Sequence, residues 1–396
     1  MVPGSRCIIA TVVAVGVVII VLMVCSIVWE FSKTSPLQVE LYTGHLMKKQ
    51  LQLPVFYDQN GVFAMDCVIG NQTVSVVIDT GSSHLNVGSH RCSQCRKHTG
   101  GYILPENMPS KQEIILRNDK ILYGSQEDKV DWYMTRVRFP HRHLADKSVC
   151  VFDYTDDTDT NTNNNENNNN TVNYSEEEGN GDNLYSKRMP LAVVQSRKGI
   201  SNYNIVGVGY TTDTSYHRYK LQFMHMFSRK TIEFWVKGNN GQLTIGAEVP
   251  TEPSTHMFRM TKKNLFLGIR LHDVIFNDTV SCRKTHPRSI PREIIFDTGS
   301  NMMDLPNPLF QLFESYCLDR SYLGTVSFVF QNLNGDFVRI KLDSSVYLWN
   351  PGQVGSCIIE PSNNDFNSII WGSLFMNNFS LWFDIDKQEV GIRKLN

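Results

Sequence analysis

The chain lacks a surplus of either charge: 38 Lys+Arg stand against 39 Asp+Glu in 396 residues, and the basic residues form no runs. A protein that tracks phosphate backbones carries a large basic excess, so nucleic acid is a poor fit as a partner. Charged residues are only 19% of the sequence, while 21 Phe and 15 Tyr supply the bulky apolar groups that disordered chains are short of. The bulk of the chain is therefore globular, and it is long enough for two cores. Helical periodicity is also scarce, with Asn307 to Leu318, which follows Pro306, and Leu221 to Phe227 as the best candidates. The near-neutral balance hides one exception: between Asp153 and Asp182 lie nine acids and no Lys or Arg, so the remainder is basic.

Residues 8–29 form an uncharged run of 22 residues, which as a helix reaches about 33 Å and so crosses a bilayer. Its exit through Ser26-Ile27-Val28-Trp29-Glu30 lacks the small-residue pattern of a cleaved signal, so it reads as an uncleaved anchor. Arg6 before it weakly favours a cytosolic N-terminus, which places the rest of the chain in a lumenal or extracellular setting as a single-pass type II membrane protein. Five N-x-Ser/Thr sequons, at Asn71, Asn169, Asn173, Asn277 and Asn378, carry meaning only on that side. Outside the anchor region stand seven cysteines, an odd number, so at least one is unpaired.

Short β-branched and aromatic runs, such as Val74 to Ile78, Val326 to Phe330 and Phe337 to Leu342, predict an all-β body with few helices. One segment does not fit that body. Residues 161–170 are Asn at eight of ten positions, and with acidic flanks the stretch 155–183 cannot bury a core; it reads as a disordered surface insert between two strands. Val249-Pro250-Thr251-Glu252-Pro253 is the best join between two lobes.

The sequence also repeats itself. Val76-Val77-Ile78-Asp79-Thr80-Gly81-Ser82 returns as Ile294-Ile295-Phe296-Asp297-Thr298-Gly299-Ser300. Downstream of each copy lies an apolar pair followed by Gly, Ile205-Val206-Gly207 and Ile370-Trp371-Gly372, so the chain is two related halves. Each apolar strand delivers an Asp to the core, and the Gly after it permits a tight reversal and close backbone approach. Two buried carboxylates brought together this way share one proton. The ionised member takes a proton from a water held between them while the protonated member donates to a substrate carbonyl oxygen. The water attacks, and no metal, cofactor or covalent enzyme intermediate is required.

From about Val55 to Asn396, apart from the Asn-rich stretch, the sequence resembles the pepsin-family aspartic proteases. That resemblance implies a bilobal all-β fold with a cleft between two pseudo-symmetric lobes, peptide and protein substrates, and binding of pepstatin-type inhibitors. It implies that Asp79 and Asp297 are the catalytic pair, that Thr80 and Thr298 brace the two loops, and that Ser82 and Ser300 hydrogen-bond the outer carboxylate oxygens, with Gly81 and Gly299 completing the loops. Tyr123-Gly124-Ser125 resembles the family's flap, whose Tyr closes over the substrate. Cys92 and Cys95 have metal-binding residue types around them, with His90 and His98, but the family closes a small disulfide loop there; Cys317 and Cys357 resemble its second-lobe disulfide. Cys67, Cys150 and Cys282 stay unassigned.

Two departures stand out: Asn86 occupies the place of a Trp that supports the flap Tyr, and Gln126 replaces a common flap Gly, which predicts a working but altered flap. His84 reads as a surface or subsite residue. The resulting organisation is a cytosolic tail at 1–7, an anchor at 8–29, a short prosegment-like linker at 30–54, an N-terminal lobe at 55–250 and a C-terminal lobe at 251–396. The linker, with Lys48 and Lys49, resembles a short version of the basic prosegments of family zymogens. The insert, the anchor and the ending resemble the plasmepsins of malaria parasites. The rival expectation is a pepsin-like peptide-binding protein with weak or no turnover.

Overall fold

The computed structural model describes residues 50–57, 61–95, 101–123, 126–140, 184–199, 203–211, 218–238, 240–263, 266–286, 290–318, 325–342, 359–361, 367–377 and 379–395. They belong to one compact unit spanning 47–396. The apolar run 8–29, the stretch 155–183, Gly124, Ser125, Cys150 and Cys357 lie outside the described residues. Among the described residues no helix is long and apolar enough to cross a membrane.

Strands dominate, as the composition predicts, and one six-stranded antiparallel layer joins the two halves of the chain. Leu51–Tyr57 pairs with Asn240–Ile245, which pairs with Thr231–Lys237; that strand pairs with Phe379–Asp384, then Glu389–Lys394, then His256–Lys263. Three strands come from the first half and three from the second, meeting where Leu381 faces Phe234. The first strand alternates with period two, Leu51, Leu53 and Val55 being buried and Gln52 exposed. Leu51 to Pro54 are therefore part of the body, where the sequence placed them in a linker. Pro54 is tolerated because this is an edge strand of the layer.

Above that layer the same strand arrangement occurs twice. Gln72–Asp79 runs parallel to Ile205–Gly207, with Asp79 opposite Gly207, and Leu85–Gly88 runs antiparallel to Ile205–Gly207 on its other side. In the second half Glu293–Phe296 runs parallel to Ile369–Trp371, and Met303–Leu305 antiparallel to it. Leu85–Gly88 and Met303–Leu305 each take a further parallel neighbour, Leu184–Lys198 and Ile359–Pro361. The repeated heptapeptide thus encodes a repeated topology: an apolar strand, a loop, and a second strand that returns across a third.

Aromatic packing fixes the second copy. Trp371 is fully buried, with Phe328 at 5.1 Å and Phe296 at 5.8 Å between ring centroids. Each such ring contributes about 1.5–3 kcal/mol by leaving water, and the Trp371 carbonyl accepts the Asp297 N–H at 3.0 Å. Core packing and loop placement are one structural event here.

Asn307–Leu318 is the α-helix read from the sequence. Leu221 to Phe227 is not one helix: it lies across two short 3-10 turns, Tyr219–Leu221 and Phe223–Met226, broken at Gln222. Ile114–Tyr123 and Gln126–Pro140 form a hairpin, and Gln126–Pro140 pairs in turn with Leu184–Lys198. Pro140 faces Leu184, so the chain between them leaves from the end of this pair opposite Gln126, roughly 45 Å along the strand.

Candidate active site

The two Asp-Thr-Gly-Ser loops meet through their threonines. Thr80 N–H donates to Thr298 Oγ1 and Thr298 N–H donates to Thr80 Oγ1, both at 3.0 Å. Each hydroxyl donates onward, Thr80 Oγ1 to the Phe296 carbonyl at 2.7 Å and Thr298 Oγ1 to the Ile78 carbonyl at 2.5 Å. Both threonines are buried, so this reciprocal lattice leaves no donor unmade, and each bond is worth about 1 kcal/mol net. It locks the ends of two strands more than 200 residues apart in sequence.

The lattice brings the Asp79 and Asp297 carboxyls close together, so that each shifts the titration of the other. Gly81 N–H donates to Asp79 Oδ1 at 2.7 Å and Gly299 N–H to Asp297 Oδ1 at 3.0 Å. A Cβ on Gly81 would stand 3.0 Å from the Asp297 carboxyl, and one on Gly299 would stand 2.8 Å from Asp79 Cγ. Glycine at both positions is what lets each loop slide beneath the opposite carboxylate.

Burial pushes the pKa of Asp79 up, while Ser82, Asp297 and the Gly81 N–H oppose the rise. Asp297 is raised well above the usual carboxylate range by burial, by the negative charge of Asp79 and by the Asp79 side chain beside it. Two such close carboxyls titrate as a pair.

The serines differ from one another. Ser82 lies close enough to Asp79 to favour its charged form, although its buried hydroxyl makes no well-formed hydrogen bond among the described residues. Ser300 departs from the expected role: its Oγ donates to the Met302 carbonyl at 3.3 Å, and its N–H bonds the Asp297 carbonyl of the main chain at 3.2 Å. The turn after Asp297 draws the hydroxyl toward its own backbone.

His84 is not on the surface. It is 2% exposed and packs edge-on against Trp132 at 5.2 Å, because the chain turns inward after the loop to form Leu85–Gly88.

Asn86, on that strand and fully buried, is the residue that reaches the hairpin. Its Oδ1 accepts the Ile205 N–H at 2.9 Å, which turns Nδ2 toward Tyr123 Oη at 2.6 Å. The amide supplies the donor that the absent Trp side chain is expected to supply. Tyr123 is held neutral far above neutral pH by burial and the nearby charge of Asp128, with Asp79 adding to it. Replacing Asn86 with Leu is expected to strand both the Tyr123 hydroxyl and the Ile205 N–H, costing about 1–3 kcal/mol and lowering kcat/KM about tenfold or more. Thermal melts and steady-state assays check both; an unchanged kcat/KM contradicts the strap.

Two ion pairs that sequence reading missed brace the same hairpin. Arg197 Nε and Nη2 grip Asp128 Oδ1 and Oδ2, each at 2.7 Å, with both side chains essentially fully buried. Arg218 grips Asp119 through Nε at 2.7 Å and Nη2 at 3.0 Å, and Trp132 Nε1 donates to Asp119 Oδ2 at 2.8 Å. Burial raises the Asp119 pKa, but Arg218 and Trp132 outweigh it and leave the carboxyl below its ordinary range. The available signal was Asp128 itself, an acid at an inward position in the alternation Gln126, Asp128, Val130, Trp132.

Cys92 and Cys95 form a disulfide, which removes their thiolates from metal binding. Cys67 and Cys282 are buried free thiols. Cys317 lies near the end of the helix Asn307–Leu318, and its proposed partner, Cys357, is outside the described residues.

A doubled strand-loop topology thus presents two buried carboxylates at its seam, one from each half of the chain. The family model described as eukaryotic aspartyl protease matches residues 63–395, and the chain belongs to that family and is a pepsin-like aspartic endopeptidase. Among curated proteins nothing matches the chain.

Proposed function

We propose that Asp79 and Asp297 are the catalytic pair of this peptidase. The observation that carries the reading is the threonine lattice that holds their two buried carboxyls side by side, with both pKa values raised. Asp79, the member whose charge is better supported, takes a proton from a water held between the carboxyls. Asp297 gives its proton to the carbonyl oxygen of the scissile peptide, and the water oxygen bonds to the carbonyl carbon to form a neutral gem-diol. Collapse moves a proton to the departing nitrogen, breaks the C–N bond and restores the shared proton. Tyr123, strapped by Asn86, closes over the peptide.

The finer role is a membrane-anchored, plasmepsin-like endopeptidase, tethered by residues 8–29 with its catalytic body on the lumenal or extracellular side, acting on secreted or surface proteins. The 22-residue uncharged run and the Asn-rich stretch support it. The short lysine-bearing segment before the body resembles a brief prosegment, and a mature form starting near Leu53 in active preparations tests whether it is removed. The test is cleavage at acid pH of a peptide with two apolar residues flanking the scissile bond. Cleavage at that bond, blocked by pepstatin, is expected; no cleavage, or cleavage that pepstatin leaves untouched, contradicts the assignment.

A further inference from the structure

Gln126 opens the second strand of the hairpin, directly opposite Tyr123 in register, and is 2% exposed. Directly opposed residues of an antiparallel pair share a face, so its side chain lies on the Tyr123 side. Ile121 and Asp128, the next opposed pair two residues along, lie on that side too.

Its amide has a fixed sense. Nε2 donates to Asp128 Oδ2 at 2.9 Å, and that carboxylate already receives two N–H groups from Arg197. A carboxylate gripped by donors is an acceptor only, so the nitrogen of Gln126 must face it. Oε1 is thereby turned the other way, buried and without a hydrogen-bond partner among the described residues. Buried acceptors without donors are uncommon in native proteins and call for a role. The position also matters: Gln126 stands opposite Tyr123, which bonds Asn86 on the strand that follows the Asp79 loop and feels the Asp79 charge. The Asp128 charge beside it is matched by Arg197, leaving a neutral acceptor and no pull on a cation.

We propose that Gln126 Oε1 is a specificity-determining acceptor, which takes a hydrogen bond from a neutral donor on the peptide, a hydroxyl or carboxamide side chain, as the hairpin closes. This rests on the peptidase reading above. A site built to bond a donor discriminates against the isostere that lacks one, because the buried acceptor is then left unmade. A Gly at this position carries no such acceptor.

The test scans matched peptides that differ only by Thr or Val at each residue near the scissile bond, assayed as kcat/KM with wild type and Gln126→Met. Wild type is expected to favour Thr about tenfold at one position. Gln126→Met, similar in length but with no carbonyl oxygen, is expected to bring the Thr-to-Val ratio at that position down to about one, whatever its overall rate. Equal rates for Thr and Val at every position in wild type overturn the proposal even if no variant folds. So does an undiminished Thr preference in a folded Gln126→Met. Failure of wild type to cleave any peptide overturns the peptidase reading itself, and so is a distinct result.

Discussion

Alanine at Gly372 is expected to cost at least about 3 kcal/mol and, at about 2–4 °C per kcal/mol, to lower Tm by roughly 6–12 °C. The added Cβ would stand 2.1 Å from the Met302 carbonyl oxygen and 2.8 Å from both Met302 N and the Ser300 carbonyl oxygen. All three are backbone atoms, so no side-chain rotation relieves the clash. The strand must move instead, and with it go the Trp371 carbonyl that accepts the Asp297 N–H and the Ser373 N–H that bonds Ser300. Activity should fall further than stability, because Asp297 is displaced relative to Asp79. Gly207 is the counterpart in the first half, its Cβ site lying 2.3 Å from Ser83 N and 2.4 Å from His84 N. Thermal melts of the two alanine variants check this, and a wild-type Tm in either contradicts it.

Asparagine at Asp79 or at Asp297 is expected to reduce kcat/KM by at least about 10⁴-fold, since it removes either the base or the acid of one concerted proton transfer. The fold should survive, because the Gly N–H bonds and the threonine lattice need only an oxygen acceptor and intact loops. Stability adds a second signature. Both carboxyls have folded-state pKa values raised above their unfolded values. Their contribution to stability is therefore present below the ordinary carboxylate range and is lost as pH rises through the folded pKa values. The slope reaches about 1.4 kcal/mol per pH unit for each proton that the folded state retains and the unfolded state has lost. Asp297→Asn deletes the more strongly raised group, so its Tm should decline less than that of wild type between acid and neutral pH. A steeper decline in the variant contradicts the shared-proton account.

The sequence carried the strand-rich fold and the paired aspartates because both are written locally. A heptapeptide that occurs twice needs no tertiary information to be seen, and neither do the strand signals of Val326 to Phe330 or the helix after Pro306. What was illegible depends on local turn geometry or on contacts between distant segments. Ser300 carries the same residue type as Ser82, yet its hydroxyl turns to Met302. His84 looks like an exposed polar residue until the hairpin delivers Trp132 onto it. Asn86 and Gln126 could be recognised as departures, but not that each is buried and fixed by its partners, Ile205 and Tyr123 for one, Asp128, itself gripped by distant Arg197, for the other. The start of the body was misplaced for a related reason: the buried alternation of Leu51 to Val55 makes sense only against the strand Asn240–Ile245.

The central claim is that one proton is shared between Asp79 and Asp297 and that catalysis needs the pair in that state. The pH dependence of kcat/KM for the wild-type enzyme tests it most directly. A bell-shaped profile is predicted, falling on the acid side when both carboxyls are protonated and on the alkaline side when both are ionised, with the alkaline limb above the ordinary carboxylate range because the Asp297 pKa is raised. Activity that keeps rising from acid through neutral pH, without an alkaline limb, would show that a single unpaired base does the chemistry and would contradict the account.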